Sequence, residues 1–401
     1  MPLWKNRGVN QFEFVSGEGA HLYDGSGRRF LDLTSGWNVA NVGWQNRRLL
    51  EAFTNQAQQL SFSPSWCWHE LRNRLAISLK RYFPMDVDVI GACTGAEAIE
   101  NALKIARRYS GRHTIVGFRE TYHGSTLGAL QAGGVPSFRG VDIPQNDLHR
   151  FLPLPEPHIT EEELGEAISD CVTRKPYPAA ILIEPLFSNP GVIEGQPHFF
   201  EVLQKAARSV DALIIVDEVG TGFGRTGRMF AFEHLGINPD IVALGKAMGG
   251  AVAPISAAIA RKPLGDVCKG LAFDSSYAWN PPSCAVALEN IQILEDESLI
   301  ARAHDLGEKI KLQFEQSTGN FGESVGLFGR GLEMAIRLPA GPTGNENLRL
   351  LMAQLADENI FAERSRYTNS LLLMPPLTIA ETDLDSAIAQ IVRILGERKP
   401  Y

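Results

Sequence analysis

Short apolar runs punctuate the middle of this 401-residue chain, at residues 87–90, 114–118, 179–183, 213–216 and 241–244, with helix-like stretches between them. Strands that read as nearly continuous apolar runs, alternating with helices, predict a mostly parallel sheet covered on its faces, an α/β fold. One intervening stretch is very regular: Ala98, Ile99, Ala102, Leu103, Ile105 and Ala106 share one face, and Glu100, Lys104, Arg107 and Arg108 share the other. That spacing predicts an amphipathic helix packed on the sheet. Later the rhythm changes to a long amphipathic helix around residues 299–314, a strand-like 332–338, and a last helix carrying Leu384, Ile388, Ile391, Val392 and Leu395. Thr382 and Asp385 have the spacing of a capping box for that helix. The expected organisation is a large sheet domain over residues 46–284 and a smaller α+β domain made of residues 285–401 joined by residues 1–45.

Composition narrows the function. With 44% hydrophobic and 21% charged residues the chain has the profile of a soluble globular protein, and its 38 basic against 46 acidic residues give a net charge of −8 without a basic cluster. Nucleic acid is therefore not an expected partner. The five cysteines are widely spaced and contain no C-x-x-C pair, so they read as buried free thiols. Residues 1–7 lack the apolar core of a signal peptide, and the most apolar later stretch, 243–260, is interrupted by Lys246, several glycines and Pro254. The expectation is a cytoplasmic protein with no membrane segment.

Chemistry concentrates where strands end. Residues 213–216 run directly into Asp217 and Glu218, at the strand end where ligands sit in open α/β sheets. Gly222, Gly224 and Gly227 then formally satisfy the G-x-G-x-x-G dinucleotide pattern, with Asp240 at a tolerable distance for a ribose contact. Two carboxylates just ahead of the glycines would repel a pyrophosphate, Phe223 and Arg225 crowd the turn, and no clean amphipathic helix follows, so this reading is rejected. The next strand ends at Lys246, a lysine among small and apolar residues. Desolvation would make its amine nucleophilic and able to form a Schiff base, although a loop lysine can also simply snorkel to solvent. At the third strand end Thr94 and Glu97 form a capping box, so the N–H groups of Gly95 and Ala96 open a helix N-terminus suited to phosphate, or to nothing more than a strand-to-helix turn. Together, a lysine, a strand-end carboxylate and a phosphate cradle are what pyridoxal 5'-phosphate requires. Asp217 would keep its ring nitrogen protonated, and Glu218 reads as structural.

These residues and several others resemble the class III, or omega, aminotransferases, pyridoxal-phosphate enzymes of fold type I, over nearly the whole chain. The run from Asp217 to Val219 with Gly222 to Gly227 is similar to that family's signature, Lys246 falls at its Schiff-base lysine, and Thr94 to Glu97 resembles its phosphate loop. Tyr122-His123-Gly124 resembles the segment whose aromatic ring stacks on the cofactor. Ser275-Ser276 before Asn280-Pro281 resembles the segment whose hydroxyl reaches the neighbouring subunit's phosphate, with Ser276 where threonine is usual. Glu184-Pro185 and Pro375-Pro376-Leu377 complete the pattern. The resemblance implies a large parallel α/β/α domain beside a smaller α+β domain, and a homodimer or dimer of dimers with composite sites. Lys246 would hold the cofactor as an internal aldimine and shuttle a proton during catalysis. Val219 and Tyr122 would face the ring, Gly95, Ala96 and Ser276 the phosphate, and Glu184 the edge of the site. The implied reaction moves an amino group from an amine or amino acid donor to a keto acid acceptor through a pyridoxamine form. A decarboxylase, racemase or aminomutase would keep the same residues, since fold and cofactor do not fix reaction type. A nicotinamide oxidoreductase and a non-catalytic binding module are the remote readings.

The chain departs from the family in one informative place. Members acting on ornithine or 4-aminobutyrate with 2-oxoglutarate pair an arginine before the Pro-Pro-Leu with a glutamate after the Glu-Pro; here Leu372 and Asn189 stand there. Joint absence is physically coherent, because a buried carboxylate without its cation is costly. It weakens 2-oxoglutarate as the acceptor. Arg364 and Arg366 lie near the place where amine-using members carry a mobile arginine, or are surface arginines beside a turn. Trp37, Trp66, Trp68, Trp279, Tyr122 and Phe187 fall in segments that border the substrate in this family. They favour a substrate with an apolar body, unless they are core or interface residues.

Overall fold

The computed structural model describes residues 12–139, 148–156, 158–318, 325–365 and 367–397. Its centre is a seven-stranded sheet in the order Val87–Ala92, Ser256–Arg261, Ile241–Leu244, Leu213–Asp217, Ala180–Ile183, Ile115–Phe118, His149–Leu152. Every neighbouring pair is parallel except those made by Ser256–Arg261, which runs antiparallel to both its neighbours. The mostly parallel α/β sheet read from the apolar runs is therefore present. Two of its strands lie outside that reading. Ser256–Arg261 is half alanine, with little side chain to signal a strand, and His149–Leu152 is a short edge strand that opens on two polar residues, His149 and Arg150.

The helix Gly95–Ser110 buries Ala98, Ile99, Ala102, Leu103, Ile105 and Ala106, the face its spacing predicts. It packs against Ile241–Leu244 and Ser256–Arg261. Its end is closed by Gly111 at φ 68, whose N–H bonds to the Arg107 carbonyl.

Two smaller sheets flank the large one. Phe14–Glu18, His21–Asp24 and Arg29–Asp32 form a meander to which Ile360–Phe361, from the far end of the chain, adds in parallel. Gly326–Arg330, Glu333–Arg337, Ser370–Leu373 and Glu363–Arg364 form an antiparallel sheet covered by the helix Leu299–Thr318. The last helix, Glu381–Gly396, buries Leu384, Ile388, Ile391 and Leu395 as expected, but its capping box is absent. The helix begins one residue before Thr382, with Ala380 as the N-cap, so the threonine already sits in the first turn. The thiols also differ from expectation, since only Cys284 is buried and Cys67 is exposed. No helix among the described residues is long and apolar enough to cross a membrane.

Gly307, inside Leu299–Thr318, lets that helix touch the turn of the Gly326–Arg330 and Glu333–Arg337 hairpin, because a Cβ there would overlap the backbone of Gly331. Gly307→Ala is expected to lower the urea unfolding midpoint by an amount equivalent to about 1–3 kcal/mol. Gly165→Ala, at a helical position where a Cβ meets no atom within 4 Å, should leave the midpoint unchanged or raised. Equal midpoints for the two variants would contradict the packing described.

Candidate functional site

Three adjacent strands of the large sheet deliver acidic and basic groups to one place. Asp217 ends Leu213–Asp217, Glu184 follows Ala180–Ile183, and His123 lies beyond Ile115–Phe118. The Asp217 carboxylate is buried; its Oδ2 accepts from His123 Nδ1 at 2.7 Å and its Oδ1 from the Val219 N–H at 2.9 Å. Burial alone disfavours the His123 imidazolium, but the bond and charge of Asp217, with Glu184 adding, raise its pKa above the ordinary value. Glu184 is pushed up to about 7, first by burial and then by the charge of Asp217, with His123 and Lys246 opposing. One of its oxygens accepts from the Ser188 N–H at 3.1 Å, and the other has no hydrogen-bond partner among the described residues. Glu218, next to Asp217, is wholly occupied by structure: it accepts from Thr221 Oγ1 and from the Phe232 N–H.

Lys246 follows Ile241–Leu244 at φ 41, a left-handed conformation that a lysine rarely adopts. Thr94 caps Gly95–Ser110 by accepting from the Glu97 N–H, but Glu97 returns its bond to the N–H of Cys93 rather than to that of Thr94. The expected capping box is thus displaced by one residue. A cavity of about 600 Å³ joins these elements and is lined by Thr94, Gly95, Ala96, Tyr122, His123, Glu184, Asp217, Val219 and Lys246. Trp37 lines it too.

Asn38 and Ser188 also line this cavity, and behind them lies Glu333, none of which sequence reasoning singled out. Ser35, Gly36, Trp37 and Asn38 have φ values of 45, 61, 61 and 65, a left-handed turn costing about 1–2 kcal/mol for each non-glycine residue. It is held by its side chains. Ser35 Oγ donates to the Met374 carbonyl and accepts from Arg225 Nη2, and Asn38 Nδ2 donates to Glu333 Oε2 at 2.8 Å. Glu333 Oε1 accepts from Ser188 Oγ at 2.6 Å. Arg225 is fully buried and drawn down to about 10 by that burial, with Glu333 and Asp32 opposing. The glycine turn is correspondingly filled: Gly224 faces Ile300 and Leu377, and Gly227 faces His304. No room is left there for a dinucleotide.

Other expected residues are not brought to the cavity in this single chain. Phe187 is buried against Phe118, ring centroids 5.1 Å apart, because Leu186–Phe187 pairs with Ile193–Glu194 and turns its side chain into the core. Trp279 is also core, donating to the Ser256 carbonyl. Trp66 and Trp68 are 81% and 78% exposed, and Ser276 is exposed as well. Arg364 points outward and donates to Asn345 Oδ1, while Arg366 lies outside the described residues. Leu372 is buried in its strand, and Asn189 lines the cavity with its amide on the Glu120 carbonyl.

The family model described as "Aminotransferase class-III" matches residues 5–395. An acetylornithine aminotransferase of Archaeoglobus fulgidus is 31% identical, over 93% of this chain and 92% of its own. A LysW-aminoadipate semialdehyde/glutamate semialdehyde transaminase of Sulfurisphaera tokodaii is 29% identical, over 96% and 94%. Among solved structures, the ornithine aminotransferase of Toxoplasma gondii, described with partial occupancy of PLP at its active site, superposes with a TM-score of 0.87 at 26% identity, covering 97% of this chain and 91% of its own.

The raised Glu184 carboxyl sets a pH dependence. Its protonated form is favoured on folding, so the contribution to stability is full below pH 4.5 and is lost as pH rises through about 7. In protein free of small ligands, Glu184→Gln should therefore gain stability over the parent between pH 5 and 8, by up to about 3 kcal/mol. Chemical denaturation across that range measures it, and parallel curves for the two proteins would refute it.

Proposed function

The chain belongs to the class-III aminotransferases and is a pyridoxal-phosphate-dependent transaminase; on that premise we propose that the cavity between Lys246, Asp217 and the Gly95 helix end holds the cofactor and carries the amino-group transfer. One observation carries the assignment: three groups of the required chemistry, from three separate strand ends, converge on a single cavity of about 600 Å³. The residues suit the cofactor. Lys246 offers an amine for its aldehyde, Asp217 a buried carboxylate for its ring nitrogen, and the 16-residue helix Gly95–Ser110 its first N–H groups for the phosphate. Gly95 is needed there, because a Cβ would come within 2.6 Å of Val219 Cγ1 and drive the helix end from the strand end.

Pyridoxal phosphate, when bound, supplies a carbonyl carbon to receive the amino group and a ring that withdraws electrons from the donor's carbon. Asp217 would hold a proton on the ring nitrogen, and His123 Nδ1 orients that carboxylate through its 2.7 Å bond. Lys246 Nζ would take the proton that leaves the donor's amine-bearing carbon and hold it for return. Val219 and Tyr122, both on the cavity wall, would confine the ring, and Glu184 would support the site beside Ser188.

The donor is an amine or amino acid and the acceptor a keto acid. Trp37 and Tyr122 on the cavity wall, with Leu372 and Asn189 in place of an ion pair, favour a donor with an apolar body over a compact dicarboxylate. The functional unit is a homodimer. Trp66, Trp68, Leu271 and Tyr277 are exposed on one chain, and Phe62 packs on Tyr277 at 5.2 Å, which joins the two segments into an apolar surface suited to a second copy.

With pyridoxal phosphate added, the protein should show a visible absorption band that an apolar amine bleaches and a keto acid restores. Lys246→Ala should lose the transfer by roughly 10²–10⁴-fold, and Asp217→Asn should bind the cofactor yet turn over about 10²–10³-fold more slowly. A band that no amine bleaches would remove transamination. Unchanged turnover in Lys246→Ala would remove the assigned lysine.

A further inference from the structure

A second cavity, of about 460 Å³, shares no lining residue with the catalytic one. It lies between the helices Glu161–Thr173 and Pro197–Ser209 on one side and the strands Gly326–Arg330 and Glu333–Arg337 on the other. Its volume falls within the range of small-molecule sites, and much of its wall is apolar, with Leu164, Ile168, Val192, Phe199 and Phe328.

The polar groups in that wall are unequal. Arg330 is neutralised by Glu194, which accepts from its Nε and lies in ion-pair contact with its Nη2. Arg337 has no such partner among the described residues. Its guanidinium stacks 4.6 Å from the Phe328 ring centroid and gives one long bond, Nη2 to the Gly191 carbonyl at 3.4 Å, while its buried Nε–H is unpartnered. Burial pulls its pKa down, opposed by the charge of Glu156, which is itself engaged by His158 Nδ1 at 3.1 Å. Arginine presents five donors in a planar fork that matches a carboxylate. Here that fork borders an apolar space and is almost unused.

We propose that this cavity is a second ligand site, which takes a small amphipathic carboxylate: an alkyl or aryl body among Leu164, Ile168 and Phe199, and its anionic end on Arg337. The assignment stands apart from the catalytic reading, because no residue is shared.

Calorimetric titration of the cofactor-loaded enzyme with hexanoate and with 4-phenylbutyrate tests it, with 1-hexanol, which has the alkyl body without the charge, as the control. Saturable binding of both acids and none of the alcohol is expected. Arg337→Met keeps the packing on Phe328 and removes the charge, and should weaken binding at least tenfold. Gly165→Phe fills the space from a helical position where a Cβ meets no atom within 4 Å, and should abolish binding even if Arg337→Met folds poorly. Lys246→Ala should bind as the parent does. Binding that survives Arg337→Met and Gly165→Phe but disappears in Lys246→Ala would send the acids to the catalytic cavity and overturn the proposal. The absence of any binding at millimolar acid would overturn it as well.

Discussion

Taking a carboxylate out of water costs several kcal/mol unless partners replace the lost hydration. Asp217 meets that requirement with two donors, the imidazole of His123 and the N–H of Val219. The imidazole arrives from beyond a strand two places away in the sheet, and Glu184 from the end of the strand between. Three parallel strands must therefore end at the same level, and their parallel hydrogen-bonded registers bring this about. The same alignment opens the cavity at the carboxyl edge of the sheet, where Lys246 follows the next strand along. Asp217 ends its strand, and Glu184 and Lys246 lie within two residues of theirs.

A second interlock closes the site from the other side. Glu333 comes from the C-terminal sheet, Ser188 from the segment after Glu184, and Asn38 from the N-terminal segment, and the carboxylate of Glu333 binds both other side chains. Arg225 holds the same turn through Ser35 and reaches the carbonyls of Leu332 and Pro375. The left-handed turn that presents Trp37 and Asn38 is unfavourable in isolation and persists because these bonds over-determine it. Stability and site geometry thus depend on the same few polar groups.

Lys246, Asp217 and the Gly95 helix end could be read from the sequence because each is local: an apolar run, a charged or capping residue, then glycine. The helix face from Ala98 to Ala106 was equally plain, since a single period organises it. Glu333, Asn38 and Ser188 carry no such signal, as their meaning comes from a meeting of three distant segments. The one trace of Glu333 is an acid opening a strand whose next three residues, Met334, Ala335 and Ile336, are apolar, a pattern that marks a buried partner without saying which. Phe187 was misplaced because a two-residue strand sets its direction, and two residues show no period. Trp66, Trp68 and Ser276 do not reach the cavity of their own chain, which is what a site completed by a second copy would require.

The central claim is that Lys246 is the residue joined to the cofactor. Borohydride reduction of the protein loaded with pyridoxal phosphate, followed by peptide mass spectrometry, addresses it directly. The account predicts a phosphopyridoxyl group on the peptide containing Lys246, at one per chain. A label on a different lysine, or none after reduction of fully loaded protein, would contradict it.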